Sequence, residues 1–232
     1  MKFEVDPQIF AYFPGMHLVV ALPEPLTNQD PALSVRNYWQ QAWKAAGALD
    51  FPNAQSHPHI RQWREQFQKI GVSHKKFPTS IEALLRRALK GGDPFAINPL
   101  VDFYNGISLK HMVAAGAFDL EELESDIRLR HTRAGDHFTA LDQETPLELE
   151  PGEVAYTSGS TVLTRHFMWR QSRIGLVRDT SRHIFVISEV PGVAGYEGAR
   201  GVEQELESGL KELFSVRSQT FILDAEHHRL EF

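Results

Sequence analysis

The chain has 232 residues, 42% of them hydrophobic, enough to enclose a core as one domain spanning residues 1–232. Its 24 Lys and Arg stand against 30 Asp and Glu, a net charge of −6, which excludes attraction of the whole molecule to a phosphate backbone; an RNA contact needs a local basic patch. Cysteine is absent, which excludes disulfides, thiolate metal sites and a cysteine nucleophile and fits a reducing cytosol.

Residues 1–6 carry no basic flank ahead of a long apolar stretch, and the apolar run at 16–22 is too short to span a bilayer. The expectation is a soluble, cytoplasmic protein with no membrane partner. Residues 17–22, closed by Pro23-Glu24-Pro25, predict a buried strand ended by residues that cannot continue a ladder. Ser34 is placed to cap a helix carrying Val35, Tyr38, Trp39, Ala42 and Trp43, with Gly47 as its stop. A second helix over residues 59–70 puts Ile60, Trp63, Phe67 and Ile70 on one face. Thr79-Ser80-Ile81-Glu82 has the form of a capping box, followed by Leu84, Leu85 and Leu89 and ended by Gly91-Gly92. Asn98-Pro99 opens another helix reaching about residue 113, with proline at the first turn where its missing donor costs nothing.

Beyond Gly116 the pattern changes. Period-two segments follow at 127–132, 137–141, 154–156, 162–169, 174–177 and 184–187, with Pro151-Gly152 and Ser158-Gly159 as turns. A helix over 202–214 and a strand at 221–223 close the chain. These elements predict an α+β fold, helices packed on a mixed sheet.

Eleven histidines raise the question of a metal, but neither His57-Pro58-His59 nor His227-His228 has helical ligand spacing with a carboxylate, so no metal and no cofactor are expected. Thr157-Ser158-Gly159-Ser160 lacks the strand-elbow-helix setting of a hydrolase serine and reads as a hairpin turn. Lys90-Gly91-Gly92-Asp93 lacks the ending of a phosphate loop and follows a helix. Arg165, Arg170, Arg173, Arg178 and Arg182, interleaved with Phe167 and Trp169, form the local basic patch, either an RNA-facing strip or a solvated strand face.

The most informative stretch is 98–109. On a helix Asn98, Asp102 and Asn105 share a stripe, while Leu100, Phe103 and Ile107 line another. Asn and Asp compete for backbone hydrogen bonds inside helices, so such a row serves either a ligand or a structural network with neighbouring backbone.

From residue 77 to 190 the chain resembles the tRNA-editing domain of the phenylalanyl-tRNA synthetase beta subunit, the B-three/B-four module, which also occurs free-standing. The resemblance rests on Ile97-Asn98, on Val101-Asp102-Phe103-Tyr104-Asn105-Gly106, on Gly116-Ala117-Phe118-Asp119-Leu120, on Gly135-Asp136-His137 with Leu141-Asp142, and on Trp169-Arg170-Gln171 followed by Thr180 and residues 184–189. The synthetase pattern has Thr, His and Glu where this chain has Tyr104, Gly116 and Gln171, which removes ionisable groups that help polarise water.

The resemblance implies a synthetase editing-domain-like fold and hydrolysis, in trans, of the ester of a mischarged aminoacyl-tRNA. Asn105 and Gln171 would hold the water as catalytic residues; Asn98, Asp102, Tyr104, Gly116 and Arg170 would bind substrate, with Arg86 or Arg87 framing the cleft. Arg165, Arg173 and Arg178 would contact RNA. The implied partners are the 3′ end of a tRNA or aminoacyl-tRNA and an amino acid in the pocket. The alternative is a binding module that keeps this pocket without hydrolysis, and a third reading is a purely structural domain.

Overall fold

The structure is a computed structural model describing residues 1–28 and 33–232. In chain order the elements are β1 (Lys2–Val5), α1 (Pro7–Tyr12), β2 (His17–Pro23), α2 (Leu33–Gly47), α3 (Pro58–Lys69), α4 (Ser80–Leu89), α5 (Pro99–His111), β3 (Ala114–Asp119), β4 (Ile127–His131), β5 (His137–Phe138), β6 (Leu147–Glu148), β7 (Val154–Ser158), β8 (Thr161–Arg165), β9 (Arg170–Gln171), β10 (Ile184–Val190), α6 (Gly195–Phe214), β11 (Ser218–Leu223) and β12 (Arg229–Glu231). Among the described residues no helix is long and apolar enough to cross a membrane.

The strands form two sheets. One is mixed, in the order β12-β1-β4-β7-β8-β5-β6 with β9 on β8; the other is antiparallel, in the order β11-β2-β10-β3. The α+β expectation with a mixed sheet therefore holds, with a second sheet added. α6 packs on β2 and β11, α5 on β3, and α2 on α5. One core gathers Trp39, Trp63, Phe67, Phe118, Tyr156 and Phe185 between the sheets and α1–α4. A second lies under α5 and α6, around Leu100, Phe103, Ile107, Val186 and Leu206.

Helix starts follow the capping residues. Thr79 Oγ1 accepts from the Glu82 amide at 3.3 Å, but the reciprocal half of the capping box does not form. Glu82 is fully buried and takes Arg64 at 2.7 Å and Arg86 at 2.6 Å instead, because a buried carboxylate needs charged donors more than a helix end needs a second cap. Ser34 falls inside α2 and does not cap it; residues 29–32, which precede the helix, lie outside the described residues. α5 is buried on all sides from Leu100 to Leu109 except at the half-buried Asn105. Gly106 makes this possible on one flank, since a Cβ there would stand 2.3 Å from the Tyr38 ring of α2.

Several strand expectations are corrected. The segment 174–177 is a turn, with Gly175 at φ 72°, and β5 ends at Phe138. The chain leaves β8 after Arg165 because His166 and Phe167 adopt positive φ, 43° and 63°, a conformation incompatible with a continuing strand. α6 begins at Gly195, seven residues before the periodic segment that predicted it. The short strands β1, β3, β9 and β12 carried no periodic signal.

Asn98 ties the start of α5 to two distant segments. Its Oδ1 accepts from the Val101 amide at 3.0 Å and from Asn28 at 3.1 Å, and its Nδ2 donates to Val177 O at 3.2 Å. Asn98→Ala removes the cap and leaves buried partners unsatisfied, so it should cost about 2–3 kcal/mol. Thermal melts should show a drop of roughly 4–10 °C, and Asn98→Asp, which keeps the cap acceptor, should recover part of it. A melting temperature unchanged in Asn98→Ala would contradict this reading.

Candidate functional site

A cavity of about 340 Å³ lies between α4, α5, the outer edge of β3 and the β8–β9 segment. Its walls are mainly apolar, with Leu84, Phe95, Val101, Phe118, Met168, Trp169 and Ile187. The polar groups on its wall include Asn105, Ser108, Gln171, Tyr156 and Glu189; Arg87 stands exposed at its mouth, its guanidinium 5.4 Å from the Phe95 ring centre. Of the two arginines expected to frame the cleft, Arg87 lines it and Arg86 is held by Glu82.

Asn105, Tyr104, Gly116 and Gln171 thus come together on one cavity although they arise from α5, β3 and β9. Gln171 Nε2 donates to Ala117 O at 2.9 Å, which leaves its side-chain oxygen as the acceptor available to a ligand or water. Tyr104 is buried, and burial raises its phenol above the ordinary range.

Asn98 and Asp102 do not line this cavity. Asn98 serves as the helix cap described above, and Asp102 Oδ1 accepts from the Ile97 amide at 3.0 Å. The polar row of α5 therefore divides: its first two members hold backbone at the helix entry and Asn105 alone of the three faces the cavity. Burial raises the Asp102 carboxyl, against the lowering effects of the Ile97 amide and Arg36. Arg170 also falls outside the cavity and pairs with Asp142 at 2.8 Å.

The arginine run does not form a strip of free positive charge. Arg165 is clamped by Glu153, with contacts of 3.1 and 2.7 Å, and its guanidinium stacks over Phe138 and Trp169. Arg178 pairs with Glu122, and Arg173 donates to Gln143 O at 3.1 Å. Arg173 and Arg178 border a separate polar depression shared with Glu122, Glu124 and Glu144. Its mixed charge reflects acids far away in sequence.

Glu189 lies inside the apolar strand β10, within the resembling segment 184–189, and has no place among the site residues the sequence implies. Among the described residues it is the sole acid on the cavity wall. Its Oε1 accepts from the Tyr156 hydroxyl at 2.6 Å, a bond that joins the two sheets. Burial pushes its carboxyl up to about 8, opposed by the Tyr156 hydroxyl. The available signal was an acid interrupting the run Ile184-Phe185-Val186-Ile187 before Val190.

The fold and cavity define a class: an α+β domain with an aromatic-walled cavity between its helices and the edge of a sheet. The B3/4 domain family model matches residues 62–206, and the chain belongs to that family, in agreement with the resemblance read from residues 77–190. Among solved structures, an N-terminal fragment of the phenylalanyl-tRNA synthetase beta subunit from Pyrococcus horikoshii is similar at 11% identity and a TM-score of 0.48. That match covers 93% of this chain and 49% of the fragment, so the chain spans about half the fragment's length. No curated protein matches the chain.

Glu189 yields a pH prediction. Its folded pKa, about 8, lies above the ordinary 4.5, so the folded state binds the proton more tightly. The stability this contributes is full below about pH 4.5 and is lost as pH rises toward 8, at up to about 1.4 kcal/mol per unit. Melting curves of Glu189→Gln and wild type should diverge over that window, with the variant gaining on wild type as pH rises. Parallel curves would show that Glu189 titrates normally.

Proposed function

We propose that the cavity receives the amino-acid part of an aminoacyl-tRNA and that the domain hydrolyses its ester in trans. The observation that carries this reading is the convergence of Asn105 and Gln171, from α5 and β9, on one aromatic-walled cavity of amino-acid size. The family membership supports the choice of ligand class.

Water held by the side-chain oxygens of Asn105 and Gln171 adds to the ester carbonyl carbon. The bond to the ribose oxygen then breaks, and that oxygen leaves with the electron pair and takes up the proton that the water gives up, directly or through the neighbouring ribose hydroxyl. An aminoacyl ester is activated compared with an amide, so positioning and oxyanion stabilisation suffice without a strong base.

A second reading is favoured by one observation. With its carboxyl near 8, Glu189 is mostly protonated at neutral pH, so the wall offers no strong base there and fits a binding module for the same ligand. The two readings separate in one experiment. Under the hydrolase reading, purified protein releases amino acid from misacylated tRNA, and Asn105→Ala and Gln171→Ala each slow this by about 10² to 10³. Under the binding reading, hydrolysis stays at background while an aminoacyl analogue raises the melting temperature, by roughly 5–11 °C at about 100 times its dissociation constant. Neither response with any charged tRNA or analogue would refute both.

RNA engagement is assigned to the cavity mouth. Because Arg87 is exposed there and carboxylates neutralise much of the arginine run, Arg87→Glu should weaken tRNA binding and reduce its salt dependence more than Arg173→Glu with Arg178→Glu. The opposite order in a filter-binding titration would return the contact to Arg173 and Arg178.

A further inference from the structure

β3 is an edge strand, and three hydrogen bonds fix which of its backbone groups face outward. The Leu120 amide points to β10, donating to His183 O at 2.9 Å, whereas the Asp119 amide points away, donating to Gly175 O at 3.0 Å. Ala117 O also points away, accepting from Gln171. Orientation alternates along a strand, so the N–H and C=O of Ala115 and the N–H of Ala117 project outward as well. None of these three groups has a hydrogen-bond partner among the described residues.

At the Asp119 end, β3 is closed against the β9 side by the Gly175 and Gln171 bonds. At the Ala115 end the two sides separate, and the cavity fills the opening, lined by Ala115, Gly116 and Ala117. In a parallel ladder, one residue of an added strand donates its N–H to the carbonyl of residue i−1 and accepts at its own carbonyl from the N–H of residue i+1. With Gly116 as residue i, those two groups are Ala115 C=O and Ala117 N–H. A single α-amino acid unit spans them.

Gly116 fits the same arrangement. Glycine weakens a strand, yet Gly116 has no positive φ, and a Cβ built on it meets nothing within 4 Å. Neither backbone conformation nor close packing requires glycine there. Residues paired across a ladder place their side chains on the same face, about 5 Å apart, so the bare position leaves room beside it for the side chain of a ligand.

We propose that the open edge of β3 is the recognition ledge for the aminoacyl group: its α-ammonium donates to Ala115 C=O, its ester carbonyl accepts from Ala117 N–H, and its side chain lies beside Gly116. This rests on the reading of the cavity as an aminoacyl site. It assigns the specificity for an α-amino group to backbone atoms, and it places the Ala117 amide at the oxygen that becomes negative when water adds.

The test uses the full chain and a panel of non-hydrolysable L-amino acid amides, read by thermal shift and calorimetry. The amide giving the largest shift is then compared with its N-acetyl derivative and its des-amino analogue. Ala117→Pro removes the outward N–H and puts a ring methylene in its place, which an edge strand tolerates, and Gly116→Val fills the space beside the ligand. The expected result is at least about tenfold weaker binding of the des-amino probe, and of the parent amide to Ala117→Pro, each the loss of one hydrogen bond, and weaker binding of the N-acetyl probe, which keeps an N–H but loses the ammonium charge. Gly116→Val should keep the wild-type fold and discriminate against large side chains while still binding alaninamide. Should Ala117→Pro fail to melt cooperatively, the des-amino probe and Gly116→Val decide alone. Equal binding of all three probes and no size selection by Gly116→Val would overturn the ledge while leaving the cavity reading intact. No response of wild type to any amide overturns both.

Discussion

The pairing of β3 on one side only is the constraint on which the rest of the site depends. β10 satisfies alternate backbone groups of β3, and the remaining ones face a gap that the second sheet reaches at only one end. A sheet edge ordinarily presents a liability that a fold covers or charges. Here α4, α5 and the β8–β9 turn enclose it without filling it, and the enclosed space is the cavity.

The walls owe their shape to local chemistry at a distance from the edge. Buried Glu82, taken by Arg64 and Arg86, anchors α4. The Asn28–Asn98 bond and the Asp102 carboxylate fix the entry to α5, so that its third polar residue, Asn105, turns toward the cavity. The left-handed turn at His166 and Phe167 swings Trp169 and Gln171 back across the opening. The Tyr156–Glu189 bond joins the two sheets beneath it.

Helices α4 and α5 were legible because their starts carry short polar caps, at Thr79 and Asn98, and α2 and α3 because their buried faces repeat every three or four residues; α1, a single short turn-and-a-half at Pro7–Tyr12, gave no such repeat. β3 was not legible, since Ala114-Ala115-Gly116-Ala117 has low strand propensity and gains its conformation from β10. The lining of the cavity was legible where it follows from one helix face, as for Asn105, or from family resemblance, as for Gly116 and Gln171. Placement was not legible where a long-range partner holds the side chain. Asp102 is claimed by a backbone amide five residues back, Arg165 and Arg170 by acids 12 and 28 residues away. Glu189 escaped notice because its partner, Tyr156, lies 33 residues earlier on another sheet.

The central claim is that the aminoacyl group occupies the space between Asn105, Gln171 and the edge of β3. A crystal structure with an amide-linked 3′-aminoacylamino adenosine tests it most directly. The account predicts the amino-acid side chain among Phe95, Phe118 and Trp169, and the adenosine at the mouth beside Arg87. Ligand bound instead in the depression bordered by Arg173 and Arg178, or a filled solution titration that leaves the amide resonances of Asn105, Gly116 and Ala117 unmoved, would contradict it.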